Sequence, residues 1–173
     1  MNFKSFIDYQ KRNLKKKLHI LKVYDMGYWH EYDKFYSSID YKDKSILDIG
    51  SDIGSSAIWF IQHGAKEVVG FSKEKQYFKH SYYTHKQYNF SEINDIVKTR
   101  KFDILKMDCE GCEWNFTINF INQFDNWVIA LHKPINNNEL YSYIKSNGRY
   151  IGMVDINSEF ATYVKDNKTM KGV

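Results

Sequence analysis

Short apolar runs alternate with amphipathic segments from residue 45 onward, and this alternation restricts the fold more than any other property of the chain. SILDIG (45–50), EVVGFS (67–72), FDILKMD (102–108) and NWVIALH (126–132) read as buried strands of a parallel sheet. Between them, SSAIWFIQHG (55–64) predicts a helix with Ala57, Ile58 and Ile61 inward and Gly64 as its stop. SEINDIVKTR (91–100) predicts a helix opening on a Ser cap, and EWNFTINFINQF (113–124) one with Trp114, Ile118, Ile121 and Phe124 inward. NNNELYSYIKSNG (136–148) has an Asn cap, a helical middle and a Gly stop. RYIGMVDI (149–156) and EFATYVKD (159–166), separated by Asn157 and Ser158, predict a hairpin. The implied architecture is a three-layer α/β sandwich, a mostly parallel sheet with helices on both faces and a C-terminal antiparallel hairpin. The binding crevice of such a sheet lies at the carboxyl ends of its strands.

The 173 residues suit a single domain, with residues 1–40 as an N-terminal helix and cap segment and 45–166 as the core. Hydrophobic residues make up 43% and aromatics 17%, enough to exclude wholesale disorder. The net charge of +4, with 25 basic against 21 acidic residues, does not by itself argue for nucleic acid. No apolar run approaches about 20 residues, so no transmembrane segment is expected, and the N-terminus has no signal-type apolar core. A cytoplasmic protein is the expectation. Residues 2–22 carry Phe3, Phe6, Ile7, Leu14, Leu18 and Leu21 at helical spacing, opposite Lys11, Arg12, Lys15, Lys16 and Lys22. The plain reading is a solvated face on a packed helix; the sharper one is a patch for an acidic partner or a membrane surface. Residues 24–44 are aromatic and polar without a period, and 73–88 read as a polar, tyrosine-rich helix.

Two loops carry the chemistry. The first strand runs into DIGSDIGSS (48–56), with Asp48 two residues ahead of Gly50 and a further glycine at Gly54. The G-x-G-x-x-G of a dinucleotide site is absent. Glycines there let a small ligand lie against the backbone, and Asp48 suits an ammonium or sulfonium better than a phosphate. The third predicted strand ends in DCEGCE (108–113), which gathers Asp108, Glu110 and Glu113 at a carboxyl end facing the crevice. His132 ends the next strand, so it meets these acids there.

ILDIGSDIGSSAIWFIQHGAKEVVGFS resembles the S-adenosylmethionine-binding half of a class I methyltransferase, and FDILKMDCEGCEW resembles the D-x-E-G-x-E signature of FkbM-type methyltransferases. The resemblance covers roughly residues 40–135 and implies a Rossmann-like sheet, S-adenosylmethionine as methyl donor, and a small-molecule or sugar-like hydroxyl acceptor. It assigns Asp48, Gly50, Ser51 and Gly54 to the cofactor's methionine end, the Phe71–Ser72 strand end to its ribose, and Asp108 to the sulfonium side. Glu110 and Glu113 flank the acceptor pocket or shape its loop. Two features depart from the family pattern. Phe71 and Ser72 stand where an acid usually takes the ribose hydroxyls, with Glu74 nearby. No strand-like run appears between 73 and 101, so the fold's third strand is expected to be missing.

Methyl transfer to a hydroxyl benefits from a general base, and His132 and Glu110 are the candidates, with Asp108 beside them. The same three residues alternatively suit a divalent magnesium or manganese ion. Cys109 and Cys112 form a C-x-x-C without a second ligand pair or a thioredoxin-like context, and read as small positions in the signature; a redox pair is the competing reading. His63, His80 and His85 receive no role. The competing function is a catalytically reduced methyltransferase-fold binding module that works through its basic N-terminal helix. Exposed sheet edges allow a homodimer.

Overall fold

The computed structural model describes residues 28–73, 82–152 and 160–166. The basic helix predicted over 2–22 lies outside the described residues, as does Glu74. Among the described residues, α1 (Tyr28–Tyr36) precedes β1 (Ser45–Ile49), α2 (Ser55–Gln62), β2 (Glu67–Ser72), β3 (Tyr83–Gln87) and α3 (Phe90–Thr99). Then follow β4 (Ile104–Met107), a 3-10 turn (Cys112–Asn115), the short α4 (Ile118–Ile121), β5 (Asn126–His132), α5 (Asn138–Asn147), β6 (Arg149–Gly152) and β7 (Phe160–Lys165).

The strands form one sheet in the order β3-β2-β1-β4-β5-β7-β6. The first five run parallel, and β7 pairs antiparallel with both β5 and β6. This is the predicted Rossmann-like three-layer sandwich with its terminal hairpin. The order turns back at β1/β4, where β1 leads outward to β2 and β3 while β4 leads the other way to β5. That is the position at which an open parallel sheet leaves a crevice.

The third strand is present, which corrects the expectation that it is missing. Tyr83–Gln87 pairs with β2 over five residues, in a stretch predicted to be helical. Only Tyr83 of the strand is buried, and the rest is polar and at the sheet's edge. Edge strands need no apolar alternation, so periodicity gave no sign of it. Three further boundaries differ from expectation. α3 is capped by Asn89, whose side chain accepts from the Ser91 and Glu92 amides, rather than by Ser91. The helix predicted over 113–124 is a 3-10 turn followed by a single turn of α-helix capped by Thr117. Residues 28–36, where no period was visible, are helical.

Two apolar layers sandwich the sheet. One is built on Leu47, Ile49, Leu105, Met107, Trp127 and Ile129 and is covered by Ile93, Phe120, Leu140 and Ile144 of α3, α4 and α5. The opposite layer joins Ile46, Val68, Ile104 and Val128 to Tyr32, Phe35, Tyr36, Ala57, Trp59 and Phe60 of α1 and α2. Period-two alternation fixes which residues share a face. It therefore puts Asp48 and Lys106, which are register partners, together under α1 and α2.

Candidate active site

Both loops that the sequence singled out open at the same place. β1 and β4 are neighbours with Ile49 opposite Met107, so the glycine turn and the acid loop leave the sheet side by side. They are in backbone contact. Gly50 has φ +84, and a Cβ built there would lie 1.7 Å from the Asp108 carbonyl oxygen. No other residue type fits that approach. The Gly50 and Ser51 amides both donate to the Phe71 carbonyl, and the Gly54 amide donates to that of Ser51. No backbone carbonyl of the described residues accepts from the Asp52 or Ile53 amides, and both residues are partly exposed.

Asp48 does not offer its charge to the crevice as expected. It is fully buried, Ser56 donates to Oδ2 at 2.5 Å, and Lys106 Nζ lies 3.0 Å from Oδ1. Lys106, itself 2% exposed, also donates to the Gly50 carbonyl at 2.6 Å. The pair ties the first strand and its turn to β4. Sequence reading passed over Lys106, although a lysine inside the buried run ILKM demands a nearby anion. Ser51 is buried and accepts from Tyr83 at 3.2 Å, and Gly54 is the left-handed N-cap of α2. The Phe71 side chain is fully buried in the apolar layer, while its carbonyl holds the glycine turn. Ser72 is 4% exposed, and its carbonyl accepts from the Tyr88 amide.

At the end of β5 His132 is held between two carboxylates. Glu113 Oε1 lies 2.9 Å from Nδ1, and Asp108 Oδ1 lies 3.5 Å from Nε2. Glu113 is fully buried and also accepts from the His132 amide at 2.7 Å and the Gly111 amide at 3.0 Å. Trp114 Nε1 donates to the His132 carbonyl at 2.8 Å. The acid loop is thereby fastened to β5 on both sides of its histidine. Burial disfavours the His132 imidazolium, but the hydrogen bond and charge of Glu113, with Asp108 and Glu110 behind it, outweigh burial and raise the pKa.

Glu110, expected to pair with His132, is exposed in a left-handed turn at φ 53; Glu113 takes that position. Asp108, Glu110 and His132 do not converge as an ion's ligand set. Among the described residues the group close enough to share one is Cys109, Cys112 and Glu113. Its two sulfurs are already joined to each other in a disulfide, which the reading of the cysteines as small positions in the signature did not expect and the competing reading as a pair allowed. Tyr36 of α1 reaches over the crevice and makes a long hydrogen bond to Asp108 Oδ2 at 3.4 Å. Burial and the Asp108 charge hold its hydroxyl protonated. Tyr32, stacked on Tyr36, contacts the Ser55 hydroxyl at 2.7 Å.

Comparison with known proteins places this geometry in context. The chain is 40% identical over 114 residues to uncharacterized protein 158B of Sulfolobus islandicus rod-shaped virus 1, spanning 61% of this chain and 71% of that one. It is 28% identical over 140 residues to uncharacterized protein 65 of Sulfolobus islandicus filamentous virus, spanning 72% and 88%. No family model matches. Among solved structures, a "putative hemolysin" from Lactococcus lactis superposes with a TM-score of 0.54 at 12% identity, over 79% of this chain and 84% of that one. A "putative methyltransferase complexed with SAH" gives 0.52 at 8% identity, over 72% and 45%. A "putative sam-dependent methyltransferase" from Streptococcus mutans gives 0.51 at 9%, over 72% and 44%. At such identities these likenesses show the fold alone, a Rossmann-like α/β sandwich shared with these structures.

Proposed function

The chain belongs to the family of uncharacterized protein 158B of Sulfolobus islandicus rod-shaped virus 1, and from the site its fold assembles we propose an S-adenosylmethionine-dependent methyltransferase that acts on oxygen of a small-molecule or sugar-like acceptor. The observation that carries the proposal is the apposition of the glycine turn and the acid loop at the switch point between β1 and β4. The structural likeness to a methyltransferase complexed with SAH supports the choice of methyl donor. The likeness of DCEGCE to the FkbM-type signature supports an oxygen acceptor.

The residues present fit the donor at one end. The turn from Gly50 to Gly54, with the Asp52 and Ile53 amides not engaged by described backbone, suits the methionine carboxylate and amine. At the other end the described part of β2 closes on the buried Ser72 where a carboxylate would grip both hydroxyls, so among the described residues the ribose diol is held less firmly. S-adenosylmethionine, when bound, would supply an electrophilic methyl group on a sulfonium. The protein's part is to align the acceptor, exclude water and accept a proton. A neutral His132 with its proton on Nδ1, towards Glu113, keeps the Nε2 lone pair for the acceptor hydroxyl. Glu113 positions the ring. Asp108, beside Nε2, stabilises the imidazolium once the proton has moved.

Thermal unfolding with S-adenosylhomocysteine tests the reading. A ligand at a hundred times its Kd stabilises the native state by about 2.7 kcal/mol, which appears as a rise in Tm. No rise at millimolar ligand overturns the proposal.

A further inference from the structure

The loop that carries the acids is closed on itself by a covalent bond. Cys109 and Cys112 are joined across Glu110 and Gly111, with their Cα atoms 5.4 Å apart. Both intervening residues are left-handed, Glu110 at φ 53 and Gly111 at φ 100. A glutamate seldom takes that conformation unless its surroundings hold it there. The residues that flank this small ring are the two that grip His132. Asp108 directly precedes Cys109 and lies 3.5 Å from Nε2; Glu113 directly follows Cys112 and lies 2.9 Å from Nδ1. Gly111, inside the ring, donates its amide to Glu113. One bond therefore spans the segment that separates the two carboxylates about the imidazole. A ring this short removes little freedom from the unfolded chain, so global stability alone is a weak reason for it.

We propose that the Cys109–Cys112 bridge is a positioning latch for the site, opened by dithiols and closed again by small-molecule disulfides. The inference rests on the methyl-transfer reading only for the activity that the latch governs. Cys109 is partly exposed while Cys112 is 8% exposed, so an incoming thiolate attacks Cys109 Sγ. The S–S bond breaks, and Cys112 departs as a thiolate and takes up a proton. The second thiol of the reductant then attacks its own mixed-disulfide sulfur, releasing the Cys109 thiol and leaving the reductant as a cyclic disulfide. Two electrons and two protons pass from the dithiol to the bridge. With the ring open, nothing covalent holds Glu110 and Gly111 in the left-handed turn. The Gly111 contact with Glu113 and the Glu113 contact with Nδ1 then loosen together.

The test is an NMR titration of the His132 ring in the intact chain before and after treatment with dithiothreitol, with free thiols counted by alkylation and mass. The acids facing the ring are Glu113 and Asp108, the charge of the exposed Glu110 acts from farther off, and Lys133 is the ring's neighbour in the chain. Two thiols per chain, a retained backbone amide spectrum and a lower His132 midpoint are expected on reduction. The double variant Cys109→Ser, Cys112→Ser should show the lower midpoint from the start and ignore dithiothreitol. Should that variant not fold, the reduced native chain carries the test. A midpoint unchanged by reduction, or a bridge that dithiothreitol leaves closed in the folded protein, overturns the latch. S-adenosylhomocysteine titrated into the oxidised chain keeps the two ideas apart: failure to bind removes the methyl-donor reading and leaves the latch standing.

Discussion

Gly50, Lys106 and His132 carry most of the site's physics, each for a different reason. Gly50 is fixed by sterics, because both its positive φ and the Asp108 carbonyl exclude a side chain. Gly50→Ala is expected to destabilise the fold by about 3 kcal/mol or more, read as a lower urea midpoint at unchanged slope. His132 is governed by charge. Its folded pKa is raised, so its stabilising contribution is complete below the unfolded value of about 6.5 and fades as pH rises through the folded value. The expected result is a Tm that declines with pH across that window in the native chain more steeply than in His132→Asn. Under the methyl-transfer proposal the same shift sets the sign of the pH dependence: a base must be neutral, so activity is expected to rise through the His132 midpoint. His132 and the three acids were legible as a group in the sequence; their pairing was not. Strand geometry suggested Glu110, but a left-handed turn at that residue sends its side chain to solvent and delivers Glu113 instead. A turn of that hand at a non-glycine residue leaves no mark on composition.

At the scale of elements, the buried pair between β1 and β4 does what a hydrophobic contact cannot, since it fixes the turn's carbonyl as well as the register. Lys106→Met leaves Asp48 buried without its counter-charge and is expected to cost about 3–5 kcal/mol. The double change Asp48→Asn, Lys106→Met removes both charges and should recover most of that loss in urea unfolding. If the double variant is as unstable as the single one, the charge pair is not what Lys106 contributes. Strands β1, β2, β4 and β5 were readable because buried parallel strands need unbroken apolar runs. β3 was not, since an edge strand packed through Tyr83 alone looks like any polar segment. The helix predicted over 113–124 was misjudged because its apolar spacing is satisfied by two short turns. Trp114 and Phe116 reach the core before α4 begins.

For the whole molecule, the strand order brings residues 48–54, 108–113 and 132 together from separate parts of the chain at one end of one sheet. No helix among the described residues is long and apolar enough to cross a membrane. The presence of β3 completes the parallel half of the sheet that the sequence pattern failed to reveal, and among the described residues β2 ends on Ser72 rather than on a carboxylate. A crystal structure of the chain grown with S-adenosylhomocysteine puts the reading to its sharpest trial. The ligand's sulfur is expected between the Gly50–Gly54 turn and Asp108, within reach of His132 Nε2. Ligand bound away from that turn, or none at saturating concentration, would contradict it.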